Sequence, residues 1–395
     1  MKRCIQYSSS VIVALSLVGC GQGEGASGLP EAGGEVPARE VVVYVSTDEA
    51  IARPILDAFT AESGIAVRAR YDGENAKTTA LAAMLRDERD APRADVFWSG
   101  ECFAPAQLGR EGVMTAWRSQ RGDRFPDFLR GEAGKWYGFA PRIRVLVYDP
   151  RQTSSEQLPK SMIDLASPLA LELGRFVSKP SIAIADPRFG TTRGHIGAFA
   201  SGMESREAGS FAKWLVGFSS NRPLILSGGN AAVVDAVVRG QAQFGLTDSD
   251  DVYAAVANGA NLAMIPIRQF PLGEVGGGPM RVPNSVSLVA GAPNPVEANA
   301  LILFLLQPMV TKWMHDSRSG NLIVAEIEAI DLESGGATQP LVPPPANLAL
   351  MQPEVLRIRI DAVEDPFQYD EAMTLESIDS SVALLRQSCL AQGSK

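Results

Sequence analysis

Histidine is almost missing from this sequence, because its 395 residues include only His195 and His315. A zinc site rich in histidine is therefore excluded, and neither C-x-x-C nor H-E-x-x-H spacing occurs. The nucleophile motif G-x-S-x-G is absent as well, and neither histidine falls in a recognisable catalytic triad. We therefore expect no enzymatic activity, and a secreted hydrolase is the least favoured of the alternatives.

Basic residues are in the minority, with 36 Lys and Arg against 45 Asp and Glu and a formal net charge of −9. Proteins that bind nucleic acids neutralise phosphates with clustered Lys and Arg, and this sequence has no such excess. We expect no nucleic-acid partner. The chain is long enough to form two sizeable lobes.

Long apolar runs are also missing. A membrane-spanning helix needs ~20 apolar residues, whereas the apolar run that follows Lys2 and Arg3 covers only residues 11–18 and carries no charge. This pattern is typical of a signal-peptide core. The run ends in Leu17-Val18-Gly19-Cys20, which resembles the lipobox of bacterial lipoproteins. It predicts a lipoprotein signal peptide over residues 1–19 and a lipid on Cys20; the alternative is an ordinary signal peptide with an accidental cysteine.

Residues 20–39 are rich in Gly, Glu, Pro and Ala and lack aromatic side chains, so they are predicted to form a flexible tether. The protein would then be exported and attached to the cell-envelope membrane through its lipid alone. Cysteine is scarce, and Cys4 would leave with the signal peptide. Of the remaining cysteines, Cys102 and Cys389 could pair in an oxidising compartment or remain buried free thiols.

The next segments alternate between strand and helix patterns. Residues 41–45 and 94–98 are short apolar runs typical of buried strands, and helical spacing follows the first of them. This alternation predicts an α/β sheet, in which ligands bind at the carboxyl ends of the strands. The candidate residues at these strand ends are Asp48, Glu49, Ser99 and Glu101.

Strand and helix patterns also alternate in the second half of the sequence. A strand over residues 181–185 is followed by a turn over 186–194 that leads into a helix predicted over 196–203. Further strands end at polar segments that begin helices. The candidate ligand-binding residues here are Thr191, Thr192, Asn230, Asp248 and Asp250. Arg193 and His195 are expected to be solvated helix residues, and Trp98 a cleft wall or part of the core.

Seven motifs in order resemble the ferric-ion-binding branch of periplasmic solute-binding proteins. The resemblance covers roughly residues 40–310; single motifs of this kind are weak, but their order is specific. The motifs are Val-Val-Val-Tyr-x-Ser-x-Asp-Glu (41–49), Ala-Asp-Val-Phe-Trp-Ser-Gly-Glu (94–101), Gly-Lys-Trp-Tyr-Gly-Phe (134–139), Arg-Ile-Arg-Val (142–145), Phe-Gly-Thr-Thr (189–192), Gly-Asn-Ala-Ala-Val (229–233) and Pro-Asn-Ser-Val-Ser-Leu-Val (283–289).

The resemblance implies a two-lobed periplasmic-binding-protein fold of type II, with mixed sheets flanked by helices and a ligand cleft between the lobes. We expect residues 40–143 and 268–330 to form lobe 1 and residues 144–267 to form lobe 2. Residues 331–395 are expected to form a C-terminal extension packing on the lobes, with a closing helix over 374–390. The implied partners are the permease and ATPase subunits of an ABC importer, and we expect a monomer.

One departure from the family pattern concerns tyrosine. Iron-binding members typically place adjacent tyrosines just after the position of Gly245-Leu246, where this sequence has Asp250 and Asp251 and the nearest tyrosine is Tyr253. Carboxylates are nevertheless hard oxygen ligands that suit a hard cation. Glu101, Asp250 and Asp251 are therefore the candidate metal ligands, for iron as a transported ligand and not as a catalytic cofactor.

Two ligand types remain open. In the first, the acids coordinate a metal ion, with ferric iron favoured, and Thr191, Thr192 or an arginine holds a synergistic anion. In the second, the ligand is an organic zwitterion such as an aminophosphonate, whose ammonium group meets the acids. Arg142 and Arg144 lie on one face of a strand and could bind its anionic end or pair with acids. Four of the acids could also simply cap helices: Asp48, Glu49, Asp248 and Asp250.

Overall fold

A computed structural model describes residues 39–72, 78–119, 121–168, 182–323, 343–352, 359–360, 363 and 365–393. The mixed α/β class predicted from the sequence is confirmed. The strands are β1 Glu40–Val45, β2 Ala66–Tyr71, β3 Val96–Ser99, β4 Met114–Thr115, β5 Tyr137–Tyr148, β6 Ile182–Ala185, β7 Leu224–Leu226, β8 Phe244–Asp248, β9 Ala263–Pro266 and β10 Arg281–Val289. The helices are α1 Glu49–Ser63, α2 Thr79–Asp87, α3 Phe103–Arg110, α4 Gly190–Arg206, α5 Ser210–Ser220, α6 Gly229–Val238, α7 Ser249–Ala257, α8 Pro295–Leu305, α9 Pro308–Asp316 and α10 Glu371–Gly393.

The long strand β5 connects two groups of strands. The strand order is β2-β1-β3-β10-β5-β8-β6-β7, with β4 paired to β10 and β9 paired to β5. The first part of β5, up to Ile143, pairs with β10, whereas residues from Arg144 onward pair with β8 and β9. We call the two groups the first and second half-sheets. The predicted lobe boundaries stay a prediction, although this change of partner falls at the proposed crossover.

Parallel strands joined by helices form the outer part of each half-sheet. In the first, β1 pairs in parallel with β2 and β3, and in the second, β6 pairs in parallel with β7 and β8. Parallel pairing requires crossover connections, which α1, α2, α5 and α6 help to provide. The carboxyl ends of these strands therefore lead into helix N-termini at one edge of each half-sheet.

Apolar side chains pack on both half-sheets. Trp98 is fully buried against Phe139 in the first, with ring centroids 5.6 Å apart, and so belongs to the core and not to a cleft wall. In the second, Phe199 packs edge-on against Trp214 at 5.0 Å. Cys102 and Cys389 are free thiols, which answers the question the sequence left open. Within the described residues, no helix combines the length and apolar composition needed to cross a membrane.

Helix α4 begins earlier than the sequence predicted. The expected start near residue 196 is wrong, because the helix already begins at Gly190. Phe189 is extended, and the carboxylate of Asp186 accepts the N–H of Arg188, so the chain turns before residue 190. Thr191 and Thr192 consequently lie in the first helical turn.

The C-terminal helix α10 contacts elements attached to both half-sheets. Its side chain Glu371 accepts the indole N–H of Trp136 at 2.8 Å, just before β5. On the other side, Ile378 lies so close to α4 that a Cβ at Gly197 would fall 2.7 Å from it. The apolar residues predicted on this helix are all buried: Leu375, Ile378, Val382 and Leu385.

We expect the substitution Ile378→Ala to lower the free energy of unfolding by about 2–5 kcal/mol, because it replaces most of a fully buried side chain with a cavity. Leu384→Ala on the same helix is the matched control, since Leu384 is 45% exposed and its loss removes little burial. Urea denaturation followed by circular dichroism measures both. Equal effects of the two substitutions would show that α10 is not docked as described.

Candidate functional site

A cavity of about 310 Å³ lies where the two half-sheets meet. On one side it is lined by the segments after β1 and β3, by the first turn of α1 and by Arg142 of β5. On the other side it is lined by the first turns of α4, α6 and α7 and by the end of β8. Four helices of nine residues or more thus direct their N-termini, which carry partial positive charge, toward one space.

Asp248 lies at the centre of the cavity floor, at the end of β8, and is fully buried. Its carboxylate accepts hydrogen bonds from four side chains: Arg144 at 2.6 Å, Thr191 at 2.6 Å, Asn230 at 2.9 Å and Arg142 at 3.1 Å. Burial alone would raise the pKa of Asp248, but the two guanidinium groups outweigh it and lower the pKa to about 2. Asp248 is therefore an ionised carboxylate whose oxygens are already engaged.

Arg142 and Arg144 share one face of β5, as the alternation along the strand predicted, and both donate to Asp248. Arg144 is fully buried behind the cavity. Arg142 lines the cavity and also approaches Asp250 at 3.4 Å. Burial acts to lower the pKa of Arg142, but the carboxylates of Asp250, Asp248 and Asp251 outweigh it and raise that pKa.

Thr191, Thr192 and Asn230 come together from two helices. The threonines lie in the first turn of α4 and Asn230 in the first turn of α6, and all three line the cavity. Asn230 donates to the Thr191 hydroxyl at 3.0 Å, while the Thr192 hydroxyl lies 3.5 Å from the Asn230 amide oxygen. These polar groups, with the backbone N–H groups beside them, can face an anion.

Three carboxylates form a compact acidic group. Oxygen atoms of Asp248, Asp250 and Asp251 all lie within 4.8 Å of one another, as they would in a site for a metal ion. Asp250 and Asp251, in the first turn of α7, are partly exposed and line the cavity. They are the two members of the group that face the solvent-accessible side.

Glu101 lines the cavity but also caps a helix. Its carboxylate accepts the backbone N–H groups of Phe103 at 2.5 Å and Ala104 at 3.2 Å, at the start of α3. Burial raises the pKa of Glu101, against the effect of these two donors. The structure thus gives Glu101 a capping role that the sequence did not predict for it, while metal binding by Glu101 stays a prediction.

The remaining predicted residues occupy different places. Asp48 precedes α1 and lines the cavity. Glu49 does not line it, because its side chain is exposed on the outer face of α1 and pairs with Arg53. Ser99 is buried beneath the cavity surface, where its hydroxyl lies 3.5 Å from that of Ser46. Neither Glu49 nor Ser99 is therefore placed to contact a ligand directly.

The sequence did not reveal the roles of three polar residues near the site: His195, Gln269 and Asn284. His195, expected to be solvated, is fully buried and bonds to Arg144 and Gln269. The expectation was wrong because α4 is covered on this side by β5 and by the segment after β9. Asn284 lines the cavity and accepts the Thr47 hydroxyl at 2.8 Å. Its only signal was its place within the Pro-Asn-Ser motif.

Tyrosine does not contribute to the cavity among the residues that the structure describes. Tyr253, two residues after Asp251, is fully buried, and its hydroxyl accepts the backbone N–H of Ile360. Its position in α7 turns it away from the lining residues. Within the described part of the chain, the cavity therefore offers carboxylate, hydroxyl and amide oxygens and no phenolate.

Residues 41–317 match the sequence profile of a family described as "Bacterial extracellular solute-binding protein". The chain belongs to this family. This solute-binding protein is 31% identical over 141 residues to the "Fe(3+)-binding periplasmic protein" of Serratia marcescens. The match covers 36% of this chain and 40% of that relative. It is 26% identical over 309 residues to "Iron uptake protein A1" of Synechocystis, covering 75% and 79% of the two chains.

Solved structures share the fold of this solute-binding protein. Iron-bound HitA from Pseudomonas aeruginosa superposes with a TM-score of 0.63 at 20% identity, over 89% of this chain and 99% of HitA. At this identity the likeness shows the fold, which is the two-lobed type II arrangement that the resemblance implied. The match to the Serratia protein spans less than half of that protein's length, so it does not carry ligand identity across.

We expect the stability of the protein to fall in acid as Asp248 becomes protonated. Its pKa is about 2 in the folded state and near 3.8 without these contacts, so the stabilisation is complete above about pH 4 and is lost as the pH falls toward 2. Asp248→Asn leaves the buried Arg144 without its counter-charge and should cost about 3–5 kcal/mol at neutral pH.

Urea unfolding at pH 7 and pH 3 tests this expectation. The control is Asp235→Asn, because Asp235 is exposed and pairs only with Arg239 one turn away on α6. The Asp248 variant should lose more stability at pH 7 than at pH 3 relative to the wild type. Identical behaviour of the two variants would contradict the assignment of Asp248 as a buried counter-ion.

Proposed function

We propose that this protein captures ferric iron, together with an accompanying anion, for an ABC importer. The observation that carries the proposal is the acidic group of Asp248, Asp250 and Asp251 inside a cavity ringed by four helix N-termini. The acids favour a cation and the helix ends favour an anion, so one cavity can accommodate both. Relatives of the chain are named as iron-binding or iron-uptake proteins, which supports this choice of cation.

Asp250 and Asp251 are the proposed metal ligands. Their carboxylates are hard oxygen donors, they line the cavity, and they lie close enough together to bind one ion. Arg142 now approaches Asp250 at 3.4 Å, but it has a second, shorter contact with Asp248 at 3.1 Å. Asp250 can therefore exchange the arginine for a metal without leaving Arg142 uncompensated. Glu101 and Asp48 are further lining carboxylates that could complete the coordination.

The anion is proposed to bind at the first turns of α4 and α6. Thr191, Thr192 and Asn230 line the cavity there, next to the backbone N–H groups of both helix ends. Arg142 adds a permanent positive charge near them, because it donates to the same Asp248 carboxylate as Thr191 and Asn230. An anion that also contacts the metal would neutralise part of its charge.

An organic zwitterion such as an aminophosphonate is the second candidate. Arg142 and the helix N-termini would hold its anionic group, and Asp250 and Asp251 would hold its ammonium group. The observation that favours it is the lack of a lining tyrosine among the described residues, since phenolate is a strong ligand for ferric iron. The two candidates differ in whether binding requires a metal.

A thermal-shift screen of metal-free protein distinguishes them. Ferric citrate at a hundredfold excess over its Kd should stabilise the protein by about 2.7 kcal/mol. The double variant Asp250→Asn, Asp251→Asn should abolish this shift, whereas Asp235→Asn on α6 should retain it. Because no tyrosine among the described residues lines the cavity, the iron complex should show no visible phenolate-to-iron charge-transfer band. A shift with an aminophosphonate and none with ferric or divalent ions would refute the iron proposal.

We also infer that the protein is held at the cell envelope by a lipid on Cys20 and delivers its ligand, as a monomer, to permease and ATPase subunits. Support comes from the Leu-Val-Gly-Cys motif at residues 17–20 and from the family membership. Both the motif and the tether over residues 20–39 lie almost wholly outside the described residues.

Cell fractionation tests the anchor. The wild-type protein should sediment with membranes and incorporate a fatty-acid label, and Cys20→Ser should do neither. Cys102→Ser is the control, because that cysteine is buried in the fold and should not affect labelling. Label incorporation by the Cys20 variant would disprove lipid attachment at this residue.

A further inference from the structure

A chain of buried polar side chains leads from the cavity floor into the protein interior. The Nε–H of Arg144 donates to Nδ1 of His195 at 3.2 Å, and Nε2 of His195 lies 2.6 Å from Oε1 of Gln269. All three side chains are fully buried. None of them lines the cavity, so the chain lies behind the residues that would meet a ligand.

The hydrogen-bond partners fix the state of His195. Because an arginine Nε can only donate, Nδ1 of His195 must accept and the single ring proton lies on Nε2, which donates to Gln269. Burial and the neighbouring Arg144 lower the pKa of His195 to about 3, which agrees with a neutral ring. His195 therefore presents one lone pair, in a fixed direction, to Arg144.

The terminal nitrogens of the Arg144 guanidinium contact residues that line the cavity. Its Nη1 donates to Asp248 at 2.6 Å and contacts Thr191 at 3.2 Å and Asn230 at 3.4 Å, while Nη2 lies 3.4 Å from Thr192. A guanidinium is planar, so fixing its Nε–H also fixes the directions of its two terminal nitrogens. The acceptors on the cavity side belong to the ends of three helices, α4, α6 and α7.

Gln269 anchors the other end of the chain. It lies in the segment between β9 and β10, and its backbone N–H donates to the carbonyl of Gly277 at 2.9 Å. Its side-chain amide also reaches the Ile267 carbonyl at 3.5 Å. The hydrogen bonds thus connect the segment between β9 and β10 with the helix ends around the cavity.

We propose that His195 and Gln269 are positioning residues for the solute site, which orient Arg144 so that it holds Asp248, Thr191 and Asn230 around the cavity. The inference rests on the proposed function in that it concerns the same cavity. A purely apolar residue at position 195 could fill the volume but would leave the buried Arg144 Nε–H without an acceptor, which is unfavourable. The guanidinium would then rotate toward another acceptor. Its hydrogen bonds to Asp248, Thr191 and Asn230, which hold the helix ends together, would be weakened.

The test compares His195→Leu, which removes the acceptor, with His195→Asn, whose amide oxygen can take the place of Nδ1. Phe218→Leu is the control for general destabilisation, because Phe218 is buried against Trp214 in α5, outside this chain of hydrogen bonds. With ferric citrate as the probe, Kd should rise about ten- to a hundredfold in His195→Leu. In His195→Asn, Kd should return most of the way to the wild-type value, and in Phe218→Leu it should equal the wild-type value. A Kd that simply follows the melting temperature across the three variants would overturn the proposal.

Hydrogen exchange in the ligand-free protein provides a second readout. Backbone amides in the first two turns of α4, α6 and α7 should exchange faster in His195→Leu than in Phe218→Leu, and should be protected again in His195→Asn. Equal exchange in all three variants would refute the positioning role. If the wild-type protein binds no ferric ion, the iron proposal fails, while the exchange result still decides the role of His195.

Discussion

Asp248 sits between two arginines of one strand, and the positions of the surrounding helices follow from that buried ion pair. A carboxylate removed from water is unfavourable unless opposite charge and hydrogen bonds compensate for it. Here the compensation comes from Arg142 and Arg144 of β5 together with Thr191 of α4 and Asn230 of α6. The four donors come from three elements, β5, α4 and α6, so forming the ion pair brings the ends of these elements together around one cavity.

This arrangement gives the cavity a mixed electrostatic character. The four donors to Asp248 leave it as an internal counter-ion, while Asp250 and Asp251 remain at the surface of the cavity. Helix N-termini and Arg142 add positive potential around the same cavity. Family membership constrains the fold and the location of such a site, but the donor atoms inside it determine the ligand. Among the described residues, carboxylates line this cavity and no tyrosine does, which differs from the tyrosine pair that the resemblance to ferric-ion-binding proteins implied.

Local patterns predicted much of the fold. The apolar runs before Ser46 and Ser99 became β1 and β3, because a strand buried on both faces is recognisable from its own residues. The rule that ligands bind at strand carboxyl ends also directed attention to Asp48, Glu101 and Asp248, which all line the cavity. The start of α4 was misplaced by several residues, because the turn is stabilised by a contact between Asp186 and Arg188 that no periodicity reveals.

The sequence by itself determined the α/β class, the family and the polar strand ends, since these depend on residues that are near one another in the chain. Only the tertiary structure decided what each polar side chain does. It showed that Glu101 caps α3, that Glu49 is exposed, and that His195 is buried against Arg144 and Gln269. For His195 the physical reason is that its partners Arg144 and Gln269 lie 51 and 74 residues away in the chain. Glu101 and Glu49 pair with residues close in the chain, but whether a side chain is buried or exposed depends on packing against distant segments, and the spacing within one segment contains no information about that packing.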